Sequence, residues 1–188
     1  EGSLYTAWLT ITLVRNEDGR FVNFIGIFSD ITQYKTAKQQ IERLAHYDVL
    51  TGLPNRLLFK ARIDHEIVIA ERHKKTFALL FIDLDHFKNI NDALGHSVGD
   101  QVLIEVGKRL ISAVRDEDTV ARVGGDEFNV QLMDCDWQGA AKTANHIIAL
   151  MAEPIQYEHY QLYIKPSIGI SLYPENGDSY ETLTRNAD

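Results

Sequence analysis

The sequence predicts an α+β fold: a ferredoxin-like arrangement, with an antiparallel sheet carrying helices on one face, preceded by a β-hairpin and a linker helix. Three observations predict it. Residues 76–84 (TFALLFIDL) form a continuous apolar run that ends in acid, the pattern of a buried central strand. Two short β-prone segments, 119–123 and 128–132, flank Gly124-Gly125-Asp126-Glu127, as a hairpin requires. Apolar residues recur at helical spacing through 97–114 and 137–151, which completes the order β, α, β, β, α, β.

Taken in order, residues 4–14 (LYTAWLTITLV) and 20–28 (RFVNFIGIF) are rich in β-branched and aromatic residues. They surround a turn signal, Asn16-Glu17-Asp18-Gly19. Both faces of this hairpin are apolar and nothing later in the sequence pairs with it. Two strands alone are marginal in water, so the hairpin reads as the C-terminal end of a larger domain. Asp30 or Thr32 is the expected N-cap of the next helix. Its Tyr34, Ala37, Ile41 and Leu44 follow at heptad spacing. Such a helix either packs on its own domain or pairs with a second copy. The dimerising reading is favoured because the helix joins two unlike segments.

The stretch Asp48 to Asn55 (DVLTGLPN) is a loop, and Asn55 can cap a helix over 56–73. A helical stripe runs through 97–114 as Val98, Val102, Leu103, Val106, Leu110 and Ile111, and another through 137–151 as Ala140, Ala141, Ala144, Ile147, Ile148 and Met151. Residues 155–172 read as a hairpin or ribbon ending in SIGIS. A last helix starts near Ser179 and the sequence stops within it. No internal repeat or low-complexity segment is present.

Composition narrows the function. Nineteen Lys and Arg face 27 Asp and Glu, a net charge of −8. An acidic chain is a poor partner for a nucleic-acid polymer or an anionic membrane. A phosphorylated ligand would have to be met by metal ions or by locally concentrated basic groups. No apolar run reaches the roughly 18–20 residues of a membrane span, and no signal segment opens the sequence. One cysteine, Cys135, excludes an internal disulfide and suits a reducing compartment. The expected location is cytoplasmic, with a membrane anchor compatible with a longer protein.

The chemistry concentrates in acids. Asp83 and Asp85 stand where the buried strand emerges, and residues two apart on a strand face the same way. A carboxylate there is costly unless paired, hydrogen-bonded or bound to metal. The glycine pair lets backbone approach a ligand and puts Asp126 at a hairpin tip beside the first strand. Two converging carboxylates suit a hard dication such as Mg2+, which takes one or two carboxylates plus phosphate oxygens. The expected product is a metal–nucleotide site for phosphoryl transfer.

Residues 124–128 spell GGDEF. LTGLPNR at 50–56, FIDLDHFKNIND at 81–92, GHSVGD at 95–100, ARVGGDEF at 121–128 and SIGISLYP at 167–174 complete a set of blocks. Together they resemble the GGDEF family of diguanylate cyclases over about residues 45–188. The resemblance implies a palm similar to nucleotidyl cyclases, with Asp83 and the carbonyl of Leu84 as Mg2+ ligands (Mn2+ being an alternative ion). Asp126 becomes the second metal ligand and proton acceptor, and Glu127 a supporting acid. Asn91 and Asp100 become guanine readers; Lys88 and the backbone amides of Phe87 and Lys88 become phosphate contacts. The implied reaction joins two GTP into cyclic di-GMP and releases pyrophosphate, each protomer of a homodimer holding one GTP. Arg115-Asp116-Glu117-Asp118 matches the family's RxxD motif for product inhibition, with Arg115 and Asp118 as its contacts.

Residues 1–32 resemble the last strands of a PAS domain and 33–46 a signalling helix, so residues 47–188 form the GGDEF domain. The family's next helix carries a lysine and an arginine that grip the triphosphate; it and the last strand would follow Asp188. Asn129 departs from the small apolar residue common after the signature. Two other readings are weighed: a non-catalytic module that binds GTP or cyclic di-GMP and regulates an attached EAL phosphodiesterase domain, and a sensory dimerisation module with a passive palm. His65-Glu66 lacks the second histidine of a zinc protease motif, Ile69 standing in its place. His96 is read as a structural loop residue and Cys135 as an inert thiol.

Overall fold

The computed structural model describes residues 5–188, so Leu4, the first residue of the expected hairpin, lies outside the described residues. The chain divides into two compact units, one up to Ala45 and one from His46 to Asp188.

In the first unit, β1 (Ala7–Arg15) pairs antiparallel with β2 (Phe21–Asp30), Ala7 lying opposite Asp30. The turn closes where the Gly19 N–H donates to the Asn16 carbonyl, 2.9 Å. Cross-strand register puts Leu9, Ile11, Leu13, Phe24 and Phe28 on one face and Trp8, Ile25 and Ile27 on the other. Both sets are exposed, Trp8 by 65% and Phe28 by 71%. Helix α1 (Thr32–His46) follows at once. The Asp30 carboxylate accepts from the Thr32 N–H at 2.9 Å, the Asx geometry that starts a helix. Tyr34, Ala37, Ile41 and Leu44 are all exposed along α1.

The second unit is built on a four-stranded antiparallel sheet in the order β4-β5-β3-β8. These are β3 (Phe77–Asp85), β4 (Thr119–Gly124), β5 (Glu127–Leu132) and β8 (Lys165–Tyr173). Strand β3 pairs with β5 on one side and β8 on the other. Helices α2 (Arg56–His73), α4 (His96–Ala113), α5 (Trp137–Met151) and α6 (Tyr180–Ala187) cover the sheet. They lie on both faces, which corrects the expectation of helices on one. Ala78, Leu80, Ile82 and Leu84 pack with Val102, Val106, Ala144 and Ile147 of α4 and α5. Phe77 and Leu79 pack with Phe59 and Ile63 of α2 and Leu183 of α6. An unbroken apolar strand has two faces to bury, each large side chain contributing about 1.5–3 kcal/mol.

The caps follow the sequence. Asn55 accepts from the Leu58 N–H, Asp136 from Gly139 and Ser179 from Thr182. The ribbon becomes two three-residue strands, β6 (Ile155–Tyr157) and β7 (Tyr160–Leu162), followed by β8. A short helix, α3 (Phe87–Leu94), was not expected: its apolar side, Phe87, Ile90 and Leu94, spans barely two turns, and Phe87 alone is buried. Among the described residues no helix is long and apolar enough to cross a membrane.

Candidate functional site

Asp83 leaves the core on β3 directly opposite Glu127 of β5 and Ser167 of β8. The signature turn is therefore stapled beside the strand end, and Asp126 comes within electrostatic reach of Asp83. Burial pushes the Asp83 carboxyl above the usual carboxylate range; the negative charges of Asp126, Asp85 and Asp188 push it the same way. Asp85 takes a different partner, accepting a hydrogen bond of 2.7 Å from the Ser167 hydroxyl. The Leu84 side chain is buried, so only its main chain can serve a ligand.

A cavity of about 410 Å³ lies next to the turn. Phe87, Lys88, Asn91, Asp100 and Asp126 line it, joined by Asp92, His96, Leu103, Arg122 and Gly125. These residues reach one place because α3 and α4 meet at a sharp bend, where the Gly95 N–H donates to the Asn91 carbonyl at 2.9 Å. His86, the residue before α3, caps it with no side-chain hydrogen bond. The first N–H groups of α3 thus have no side-chain cap competing with an anion.

Sequence reasoning missed the residues that hold the turn. Arg122 donates from Nη1 to both oxygens of Asp48, at 3.0 and 3.1 Å, and from Nε and Nη2 to the Gly125 carbonyl, at 3.0 and 2.8 Å. Gly125 itself has φ +34°, a conformation few other residues adopt. Asp48 also accepts from the Thr51 N–H and hydroxyl. Burial raises the Asp48 carboxyl, but Thr51 and the Arg122 guanidinium outweigh it and hold the group below its usual range. Arg56 donates to the Val123 carbonyl at 3.1 Å and contacts Glu127 at 3.4 Å. In the sequence Arg56 and Arg122 stand only as charges within the LTGLPNR and ARVGGDEF blocks and Asp48 as a loop acid; the pairing spans dozens of residues and no periodicity encodes it.

The RxxD residues lie elsewhere. Arg115 and Asp118 line a separate cavity of about 400 Å³ with Cys135. Asp118 accepts from the Arg115 N–H at 3.0 Å and from the Met133 N–H at 2.9 Å, and Arg115 pairs with Glu117 at 3.2 Å. Burial, with Asp136 and Asp118 adding, pushes the Cys135 thiol up against the pull of Arg115, which favours its protonated form. His96 is exposed on the wall of the first cavity.

Among the described residues no group of three or more His, Cys, Asp and Glu could hold a metal by itself. The donor set at the strand end is still of the right kind. Asp83 and Asp126 are hard oxygen donors of like charge whose repulsion a cation would relieve. Two carboxylates are what Mg2+ takes when phosphate oxygens and water complete its shell.

A family model described as "Diguanylate cyclase, GGDEF domain" matches residues 45–188. The chain is 42% identical over 157 residues to the bifunctional diguanylate cyclase/cyclic di-GMP phosphodiesterase MucR of Pseudomonas aeruginosa, covering 84% of this chain and 23% of MucR. It is 43% identical over 146 residues to the diguanylate cyclase TpbB of the same species, covering 77% of this chain and 34% of TpbB. The chain thus spans about a quarter to a third of the length of these relatives. The crystal structure of the TpbB GGDEF domain from Pseudomonas aeruginosa is 42% identical and superposes with a TM-score of 0.72, covering 73% of this chain and 87% of that one. The coiled coil and GGDEF domain of DgcB from Caulobacter crescentus, solved with cyclic di-GMP, is 26% identical and gives 0.75, covering 84% of each chain.

Proposed function

Since the chain belongs to the GGDEF family of diguanylate cyclase domains, we propose that it condenses two molecules of GTP into cyclic di-GMP and releases pyrophosphate. The observation that carries this reading is the single cavity on which Lys88, Asn91, Asp100 and Asp126 converge, beside the Asp83 strand end. Asp100 accepts from the guanine N1–H and N2–H, and the Asn91 amide donates to its acceptor edge. Lys88 and the amides of Phe87 and Lys88 at the start of α3 hold the phosphates. Asp83, the Leu84 carbonyl and Asp126 would hold Mg2+ or Mn2+, which when bound neutralises phosphate charge and polarises the α-phosphoryl group. Asp126 accepts the proton of the attacking 3′-hydroxyl. The 3′-oxygen bonds to the α-phosphorus of the facing GTP as the bond to pyrophosphate breaks; a second identical step closes the ring.

One protomer presents one such cavity, so the reaction needs two protomers face to face. The exposed seam Tyr34, Ala37, Ile41 and Leu44 of α1 supplies that pairing as a parallel dimer and sets the effective concentration of the half-sites. The hairpin β1-β2 is the C-terminal edge of a PAS domain that transmits a signal through α1. Arg115 and Asp118 form a product-inhibition site, and Arg115→Ala weakens cyclic di-GMP binding without weakening GTP binding. Two relatives, NbdA of Pseudomonas aeruginosa and PdeR of Escherichia coli, are named cyclic di-GMP phosphodiesterases alone. Their names favour a second reading, in which this domain binds GTP and regulates an attached phosphodiesterase without turnover.

The test is incubation of the dimeric chain with GTP and Mg2+, followed by chromatography. Cyclic di-GMP is expected from the parent and none from Asp126→Asn. GTP binding with no product from the parent selects the regulatory reading. No nucleotide binding overturns both.

A further inference from the structure

Among the residues around the 410 Å³ cavity, Gly99 contributes nothing to its wall yet dictates what Asn91 can do there. It is buried in the second turn of α4, immediately before Asp100. A methyl group built on Gly99 would overlap Asn91 Oδ1, lie 2.9 Å from Asn91 Cγ and come within 3.1 Å of Phe87 Cζ. Real side chains do not approach that closely, so something must move. The Phe87 ring is buried and packed in the core. The Asn91 amide is the free end of a rotatable side chain, and it yields first. Within the protein, among the described residues, that amide makes no hydrogen bond; its orientation is set by the surface it lies on. The Asn91 backbone is pinned separately, by the Gly95 N–H.

We propose that Gly99 is a specificity-determining positioning residue. Its missing side chain leaves the recess in which the Asn91 amide is seated, next to the Asp100 carboxylate, and this seating is what lets the pair read a guanine and reject an adenine. The inference rests on the reading of this cavity as the guanine site. Adenine presents a donor where guanine has an acceptor, so a displaced amide costs GTP affinity while leaving ATP affinity almost unchanged. The effect runs opposite to stability. Alanine is a better helix former than glycine inside a helix, so Gly99→Ala does not weaken α4.

The experiment measures equilibrium binding of GTP and ATP, with Mg2+, to the parent chain, Gly99→Ala, Asn91→Ala and the double variant, with thermal unfolding of each. The expected result is a loss of GTP affinity of about tenfold in both single variants, the scale of one base-edge contact, with ATP barely affected. The double variant binds GTP no worse than Asn91→Ala, and the unfolding midpoint of Gly99→Ala is not lowered. Parental GTP affinity in Gly99→Ala overturns the proposal. So does an equal loss in the presence and absence of the Asn91 amide, or a Gly99→Ala chain that no longer folds. If Asn91→Ala and Asp100→Ala both bind GTP as tightly as the parent, the guanine reading itself falls and takes the inference with it. A harmful Asn91→Ala beside a silent Gly99→Ala removes the inference alone.

Discussion

Asn129 is fully buried and, among the described residues, neither its amide nitrogen nor its carbonyl oxygen has a hydrogen-bond partner. It sits on β5 across from Phe81, on the sheet face packed by α2 and α6. An orphaned buried amide costs about 1–3 kcal/mol, so Asn129→Val is expected to raise stability by about 1–2 kcal/mol in urea unfolding. Asp48 behaves oppositely. Its folded carboxyl is held below the unfolded value, so its contribution is fully present above about pH 4 and fades as pH falls through the folded value. The stability gap between parent and Asp48→Asn is therefore expected to be constant near neutrality and to close in acid. The two residues differ in legibility. Asn129 stands out in the sequence as a departure from a small apolar residue, whereas the partnership of Asp48 with Arg122 becomes visible only when the fold brings a loop against a strand.

At the scale of elements, Arg109 of α4 ties down the end of α5. Its guanidinium donates to the carbonyl of Leu150 in the last turn of α5 and to those of Glu153 and Pro154 in the loop that follows. Arg109→Met keeps the stem and removes the donors, and is expected to cost about 2 kcal/mol in chemical denaturation. The elements with strong patterns were legible: the apolar run of β3, the stripes of α4 and α5, and the caps at Asn55 and Ser179, although Ile111 and Ile148, counted in those stripes, stay exposed. What escaped was α3: Phe87, Ile90 and Leu94 recur at helical spacing, but eight residues are too few for that period to stand out. The double-sided helical cover escaped too. The unbroken run of β3 already implied it, but element order alone does not say on which face a helix lands.

For the whole molecule, Asp126, Asn91 and Asp100, which the structure brings to one cavity, and Asp83 beside it stand in spaced motifs that the sequence shows, because each block carries unusual residues at fixed offsets; their roles are the proposal's. The clamp around them was not legible, since its members look like ordinary surface charges. The proposed dimer has its own consequence. Ile41→Lys with Leu44→Lys is expected to shift the chain to monomer in sedimentation. It should also cut cyclic di-GMP output at least about tenfold, the price of lost effective concentration, while GTP binding per protomer holds. The Arg122 bridge adds a constraint on transplantation. Because Arg122 and Arg56 tether the glycine turn to residues 48–56, a chimera that swaps modules at the start of β3 separates the turn from its anchor. Recombination points belong ahead of Asp48; grafts joined later inherit a hairpin whose far support comes from a foreign parent.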